Sequence, residues 1–158
     1  MADLNPLEWA VRPLKHYADF NGRASRAEYW WFYLLTVVVG IPLRLIDEAL
    51  DTRHILTIIA DLGLFLPWLA VTARRLHDTN RSGGWMLVYV AVFAVIGVLV
   101  AGAFSISAVG STSLVVGGLL ALAAVAVFLV FMILPGTEGP NRYGPDPYGP
   151  NDLEEVFA

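Results

Sequence analysis

The sequence predicts an all-α polytopic membrane protein, a bundle of four transmembrane helices preceded by an amphipathic helix at the bilayer interface. Three observations predict it. Of 158 residues, 57% are apolar and only 15% charged, against roughly half and a quarter in an ordinary soluble domain. That excess has to face lipid. Four long apolar stretches come close to the roughly 20 residues a helix needs to cross hydrocarbon. Polar, turn-rich motifs and most cations are confined to the segments between and around them. Helix follows because an open sheet in lipid would leave backbone groups unpaired.

Residues 5–20, NPLEWAVRPLKHYADF, place Leu7, Val11, Leu14 and Ala18 on one helical face. Arg12, Lys15, His16 and Asp19 fall largely elsewhere, the pattern of a helix lying in the interface. Asn5 can cap it with Pro6 in the first turn, and Pro13 predicts a kink or a division. In FNGRASRAEYWW, Asn21-Gly22 is a turn signal. Ser25 and Glu28 read as a capping box opening the first span, which would account for Glu28 completely. The spans are expected at 29–46, 55–73, 85–104 and 114–134, with aromatic anchors at the start of the first and Trp85 opening the third. Arg74 and Arg75 finish the second span, where cations suit a helix C-terminus. Asn80 or Ser82 can cap the third, and Gly83-Gly84 permits a sharp turn. After Leu134, GTEGPNRYGPDPYGP is too rich in Gly and Pro for a regular element. It is either a disordered exit or a strap over one membrane face, and the final NDLEEVFA is acidic and expected to be loose. The organisation is thus an N-terminal segment (1–28), a bundle (29–134) and a tail (135–158).

Lys and Arg set the expected orientation. Eight of the ten, namely Arg12, Lys15, Arg23, Arg26, Arg74, Arg75, Arg81 and Arg142, lie on one side of the bundle, leaving Arg44 and Arg53 for the other. The positive-inside rule puts the first side, with both termini, in the cytoplasm. The N-terminal residues carry too many charges for a signal peptide.

Composition also narrows the chemistry. A net charge of −4 without a long basic run argues against nucleic-acid binding. The absence of cysteine removes disulfides, thiolate metal sites and cysteine nucleophiles. No metal-ligand spacing is present, so neither a metal nor another cofactor is expected.

The candidate site is the cluster that topology brings to the basic face: Arg23, Arg26, Glu28, Arg74, Arg75, His77, Asp78, Asn80, Arg81, Asn141 and Arg142. Arg forks suit phosphate geometry, so a non-enzymatic module binding an anionic lipid head group, a phosphate-bearing ligand or a partner is the leading reading. The same residues could instead hold one another, Asp78 with Arg23 or Arg26, Glu28 with Arg74 or Arg75, and Asp146 with Arg81. An enzyme acting on lipid-linked substrates through His77 and Asp78 is a further alternative, without an evident nucleophile or metal. Asp61 lies inside the second span, a functional-site hypothesis by default. It could serve an oligomeric transporter or channel subunit, or form an ion pair with Arg44. Gly97/Ala101 and Gly117/Ala121 have the spacing for close helix packing, within one chain or in a homo-oligomer.

Together these motifs resemble the YhaH-like family of small bacterial inner-membrane proteins, a domain of unknown function. The resemblance rests on Trp9 and LKHY at 14–17, and on F-x-G-R-A-x-R-x-E-Y-W from Phe20 to Trp30. It extends through Pro67, RRLHD at 74–78, Ser82 and Gly83, and ends with G-x-N-R-Y-G-x-D-P from Gly139 to Pro147. Gly84 departs from the pattern, in which Trp follows directly. The resemblance implies a bacterial cytoplasmic membrane protein and brings no catalytic residues.

Overall fold

The computed structural model describes residues 4–87, 90–92, 94, 95, 97 and 110–148, with only the backbone at 110–114. The elements are α1 (Pro6–Lys15), α2 (Arg26–Leu50), α3 (Ile55–Asp78) and α4 (Gly110–Ile133). Among the described residues no strand occurs, only an isolated antiparallel bridge between Asn141 and Gly144. Among the described residues three helices are long and apolar enough to cross a membrane, and the fold is that of an all-α polytopic membrane protein. The third expected span, 85–104, falls largely outside the described residues, and its described positions are helical. Gly97 is one of these; Ala101 lies outside them. The chain forms two compact units, Met1–Gly83 with Pro135–Ala158, and Gly84–Leu134.

In the second unit α4 is apolar all round, as a lipid-facing helix should be. Gly117 is buried and Ala121 half-covered.

In the first unit α1 begins with a full capping box. Asn5 Oδ1 accepts from the Glu8 N–H and the Glu8 carboxylate from the Asn5 N–H, each at 2.9 Å. The helix runs undivided through Pro13 and stops two residues later. Its buried face is Trp9, Ala10 and Pro13, packed on α2 and α3, while Leu7 and Leu14 turn outward. The apolar stripe seen in the sequence is therefore the outward face, available to lipid.

Helices α2 and α3 form an antiparallel hairpin closed by one buried carboxylate, Asp47. Its Oδ2 accepts from the Thr57 N–H at 2.8 Å and the Thr57 hydroxyl at 2.7 Å. Its Oδ1 accepts from the Leu56 N–H at 3.1 Å and from the Thr52 hydroxyl. The carboxylate at the end of α2 thus neutralises the unpaired N–H groups opening α3, where His54 supplies no side-chain cap.

Pro67 leaves the Gly63 carbonyl, four residues back, without its helical donor. The Tyr17 hydroxyl donates to that carbonyl at 2.6 Å. A residue just beyond α1 thereby repairs the ladder of α3, where lipid cannot.

The far end of α3 extends past Arg74 and Arg75 to Asp78. Asn80, in the left-handed region at φ 58°, closes it as a Schellman motif. Its N–H donates to His77 O and the Arg81 N–H to Leu76 O, both at 2.9 Å. Asn80 ends α3 rather than capping the next helix, since asparagine tolerates this conformation better than most residues.

Candidate functional site

Residues 135–148 fold back as a strap over the end of α3 rather than leaving as a disordered exit. Helix termini leave carbonyls unpaired, and here the strap supplies the donors. Asp78 O accepts from the Thr137 N–H at 2.9 Å and the Thr137 hydroxyl at 3.2 Å. His77 O accepts from Asn141 Nδ2 at 3.0 Å. Asn141 and Gly144 exchange backbone hydrogen bonds at 3.0 Å. Asp146, expected beside Arg81, accepts instead from the strap's own Gly139 and Tyr148 N–H groups at 3.0 and 2.9 Å.

Under the strap sits a closed ionic cluster. Arg23 donates from Nε to Asp78 Oδ1 at 3.0 Å and lies 2.8 Å from it through Nη2. Its Nη1 donates to Gly139 O at 2.6 Å and Nη2 to Thr137 O at 2.5 Å. The other Asp78 oxygen takes Arg75, and the side chains of Arg23, Arg75 and Asp78 are at most 2% exposed. One carboxylate holds two buried guanidinium groups. Gly136 crosses directly above it, and a Cβ there would fall 2.6 Å from Asp78 Cγ.

His77 is equally committed. Its Nδ1 lies 3.1 Å from Gly22 O; a carbonyl only accepts, so Nδ1 carries the proton. The ring stacks on Tyr143 at 3.9 Å, and Arg142 covers the other face of Tyr143 at 4.7 Å while donating to Asn80 O at 3.1 Å. Arg26 lies exposed at the first residue of α2, and Arg81 donates to Thr79 O at 3.4 Å.

A second centre surrounds Glu28. Ser25 Oγ accepts the Glu28 N–H at 3.1 Å, which is half of the expected capping box. The Glu28 side chain does not return to the cap; Oε1 lies 2.7 Å from Arg74 Nη1 and Oε2 3.5 Å from Arg12 Nε. The capping-box account of Glu28 is therefore incomplete, because a buried cation next to it competes better for its carboxylate. Arg74, 4% exposed, has its Nε and Nη2 buried without a hydrogen-bond partner.

Beside these groups is an open cavity of about 220 Å³, bordered by α1, the 19–23 turn and the strap residues 145–147. Its cations are Arg12, Arg23 and Arg74 and its carboxylates Asp19, Glu28 and Asp146, with Trp9 and His16 completing the wall. Each carboxylate is engaged. Asp19 accepts the Asn21 N–H at 3.0 Å, which holds its carboxyl below the usual range, with burial opposing. Glu28 Oε1 makes no hydrogen bond but lies in ion-pair contact with Arg74 Nη1, whereas the Arg74 Nε–Nη2 edge has neither kind of partner.

Arg44 and Asp61 line a groove between α2 and α3, away from this site. The expected ion pair between them is not formed, for no contact within 4 Å joins the two. Each extends outward from its own helix.

The motifs that meet here, FNGRASRAE, RRLHD and GPNRYGPD, lie almost entirely within the stretch that matches a known family. The family described as "Protein of unknown function (DUF805)" matches residues 17–145. The chain belongs to the DUF805 family. It is 37% identical over 138 residues to the inner membrane protein YhaI of Escherichia coli K12, covering 87% of this chain and 92% of that protein. It is 42% identical over 92 residues to the inner membrane protein YhaH of the same strain, covering 55% and 76%. A DUF805 chain of this kind is an integral membrane protein. No solved structure matches it.

Proposed function

We propose that this DUF805 protein is a non-enzymatic module of the inner membrane whose cytoplasmic face binds an anionic group, a phosphate or carboxylate, in the cavity beside Arg74. One observation carries the reading. Nη1 of Arg74 is spent on Glu28, and the edge left over, Nε with Nη2, is the side-on fork that donates to two oxygens of one oxyanion. A buried guanidinium edge without partners is costly, and an anion would satisfy it. The cavity is smaller than the roughly 300–1,000 Å³ that encloses a whole organic ligand, so it suits a small ionic group or the tip of a lipid head group.

The orientation follows the Lys and Arg distribution. Contacts between Arg23, Asp78 and Thr137 require an even number of membrane crossings between each pair, which agrees with both termini on one side. The enzymatic alternative is weaker. Asp78 is consumed by two arginines, and His77 is fixed by Gly22 and Tyr143.

The test compares the full-length protein with Arg74→Gln and Arg74→Lys in detergent. Inorganic phosphate at constant ionic strength should raise the melting midpoint, and anionic lipid should co-purify. Arg74→Gln should abolish one or both, and Arg74→Lys, which lacks the fork, should restore little. Phosphate stabilisation and lipid content that are both unchanged in a folded Arg74→Gln protein would refute the proposal.

A further inference from the structure

The opposite end of the α2–α3 hairpin carries a different arrangement of charge. Arg44 is six residues before the end of α2 and Asp61 six residues after the start of α3. At 1.5 Å per residue both lie about 9 Å from the hairpin end, so a cation and an anion stand at the same depth. They border one groove of about 300 Å³. They do not touch each other, and neither has a hydrogen-bond or ion-pair partner among the described residues. Two opposite charges near lipid that could neutralise each other, yet stay apart, leave room for something between them.

The groove then runs along α2 past Ile41, Gly40, Val37 and Thr36 to Tyr33. Those eleven residues from Arg44 span about 16 Å, close to one leaflet of a hydrocarbon core roughly 30 Å thick. Thr36 has turned its hydroxyl to the Tyr33 carbonyl at 2.7 Å, so this stretch offers lipid an apolar wall. Opposite charges at one depth, with an open groove past Ile41, Gly40 and Val37 below them, match the layout of a single phospholipid.

From this we infer that the groove is a binding site for an aminophospholipid with a phosphoethanolamine head group. Arg44 takes the phosphate, Asp61 takes the primary ammonium, and one acyl chain lies along Gly40 and Val37. Charge complementarity selects the zwitterion. A purely anionic lipid would leave Asp61 unneutralised, and a trimethylated amine has no N–H to give its carboxylate. This site is separate from the Arg74 cavity and does not depend on it.

The experiment is native mass spectrometry of the full-length protein in detergent, titrated separately with phosphatidylethanolamine, phosphatidylcholine and phosphatidylglycerol. Phosphatidylethanolamine should bind best. Asp61→Asn should weaken it about tenfold, the worth of one charge-assisted hydrogen bond, and bring it level with phosphatidylcholine. Gly40→Leu keeps both charges and places its side chain into open space in the groove, so it should block binding without unfolding the helix. Arg74→Gln should leave the preference intact. Equal retention of the three lipids, preference for phosphatidylglycerol, or a preference unmoved by both Asp61→Asn and Gly40→Leu would overturn the inference.

Discussion

Replacing Asp78 with asparagine keeps the shape of the side chain and removes its charge. Arg23 and Arg75, whose side chains are 1% and 0% exposed, would then share a buried site with no counter-ion. Removing one partner of a buried ion pair costs about 3–5 kcal/mol, because the remaining charge is desolvated and uncompensated. Two stranded cations put Asp78→Asn at the upper part of that range. At about 2–4 °C per kcal/mol for a chain of this size, the melting midpoint should fall by roughly 8–20 °C. The assay is the fraction of monodisperse protein recovered by size exclusion after heating in detergent. Adding Arg23→Gln to Asp78→Asn removes one stranded cation, so the double variant should be less damaged than the sum of the singles by at least about 1 kcal/mol. A loss below about 1 kcal/mol for Asp78→Asn, or singles that simply add, would refute the account of this cluster.

Three further outcomes follow from the same geometry. Tyr17→Phe should cost about 1 kcal/mol, read as a small drop in midpoint, and that cost should vanish in a Pro67→Ala background, where Gly63 O regains a helical donor. Gly136→Ala drives a methyl group into the Asp78 carboxylate and should cost about 3 kcal/mol, whereas Gly118→Ala, facing open space, should cost nothing measurable in the same assay. Asp47→Asn should lower the midpoint and speed backbone hydrogen exchange at Leu56 and Thr57, with no effect on phosphate binding beside Arg74.

The membrane architecture was legible because apolar run length and charge placement are properties of local sequence. Two of the pairings that hold the basic end together were among those expected from charge, Arg23 with Asp78 and Arg74 with Glu28, whereas Arg75, a candidate partner of Glu28, takes Asp78 instead. What could not be read is which donor is left over. Arg74 and Arg75 are neighbours on one helix, and only the packing around them puts one into a satisfied pair and leaves the other, at the border of the cavity, with two unpartnered nitrogens. Asp47 and Tyr17 were missed for a related reason. The partners of Asp47 lie across a turn, and Tyr17 answers a carbonyl orphaned by a proline 50 positions later. The signal for Tyr17 was present in Pro67, since a proline inside a membrane helix demands a donor from elsewhere. Gly136 gave no signal, because its role is set by a carboxylate from a different segment.

The strap has a consequence for biosynthesis. Arg23 is synthesised first, Asp78 follows 55 positions later, and Thr137 and Gly139 come later still, 116 positions after Arg23 in the longest of these hydrogen bonds. Until those last residues emerge, the end of α3 keeps unpaired carbonyls and Arg23 is only partly satisfied. The helices can insert in order, but this end cannot lock until residues 137–139 have been made. A nascent chain stalled before residue 137 would expose an unfinished ionic cluster, a feature by which a membrane protease could distinguish incomplete molecules from complete ones.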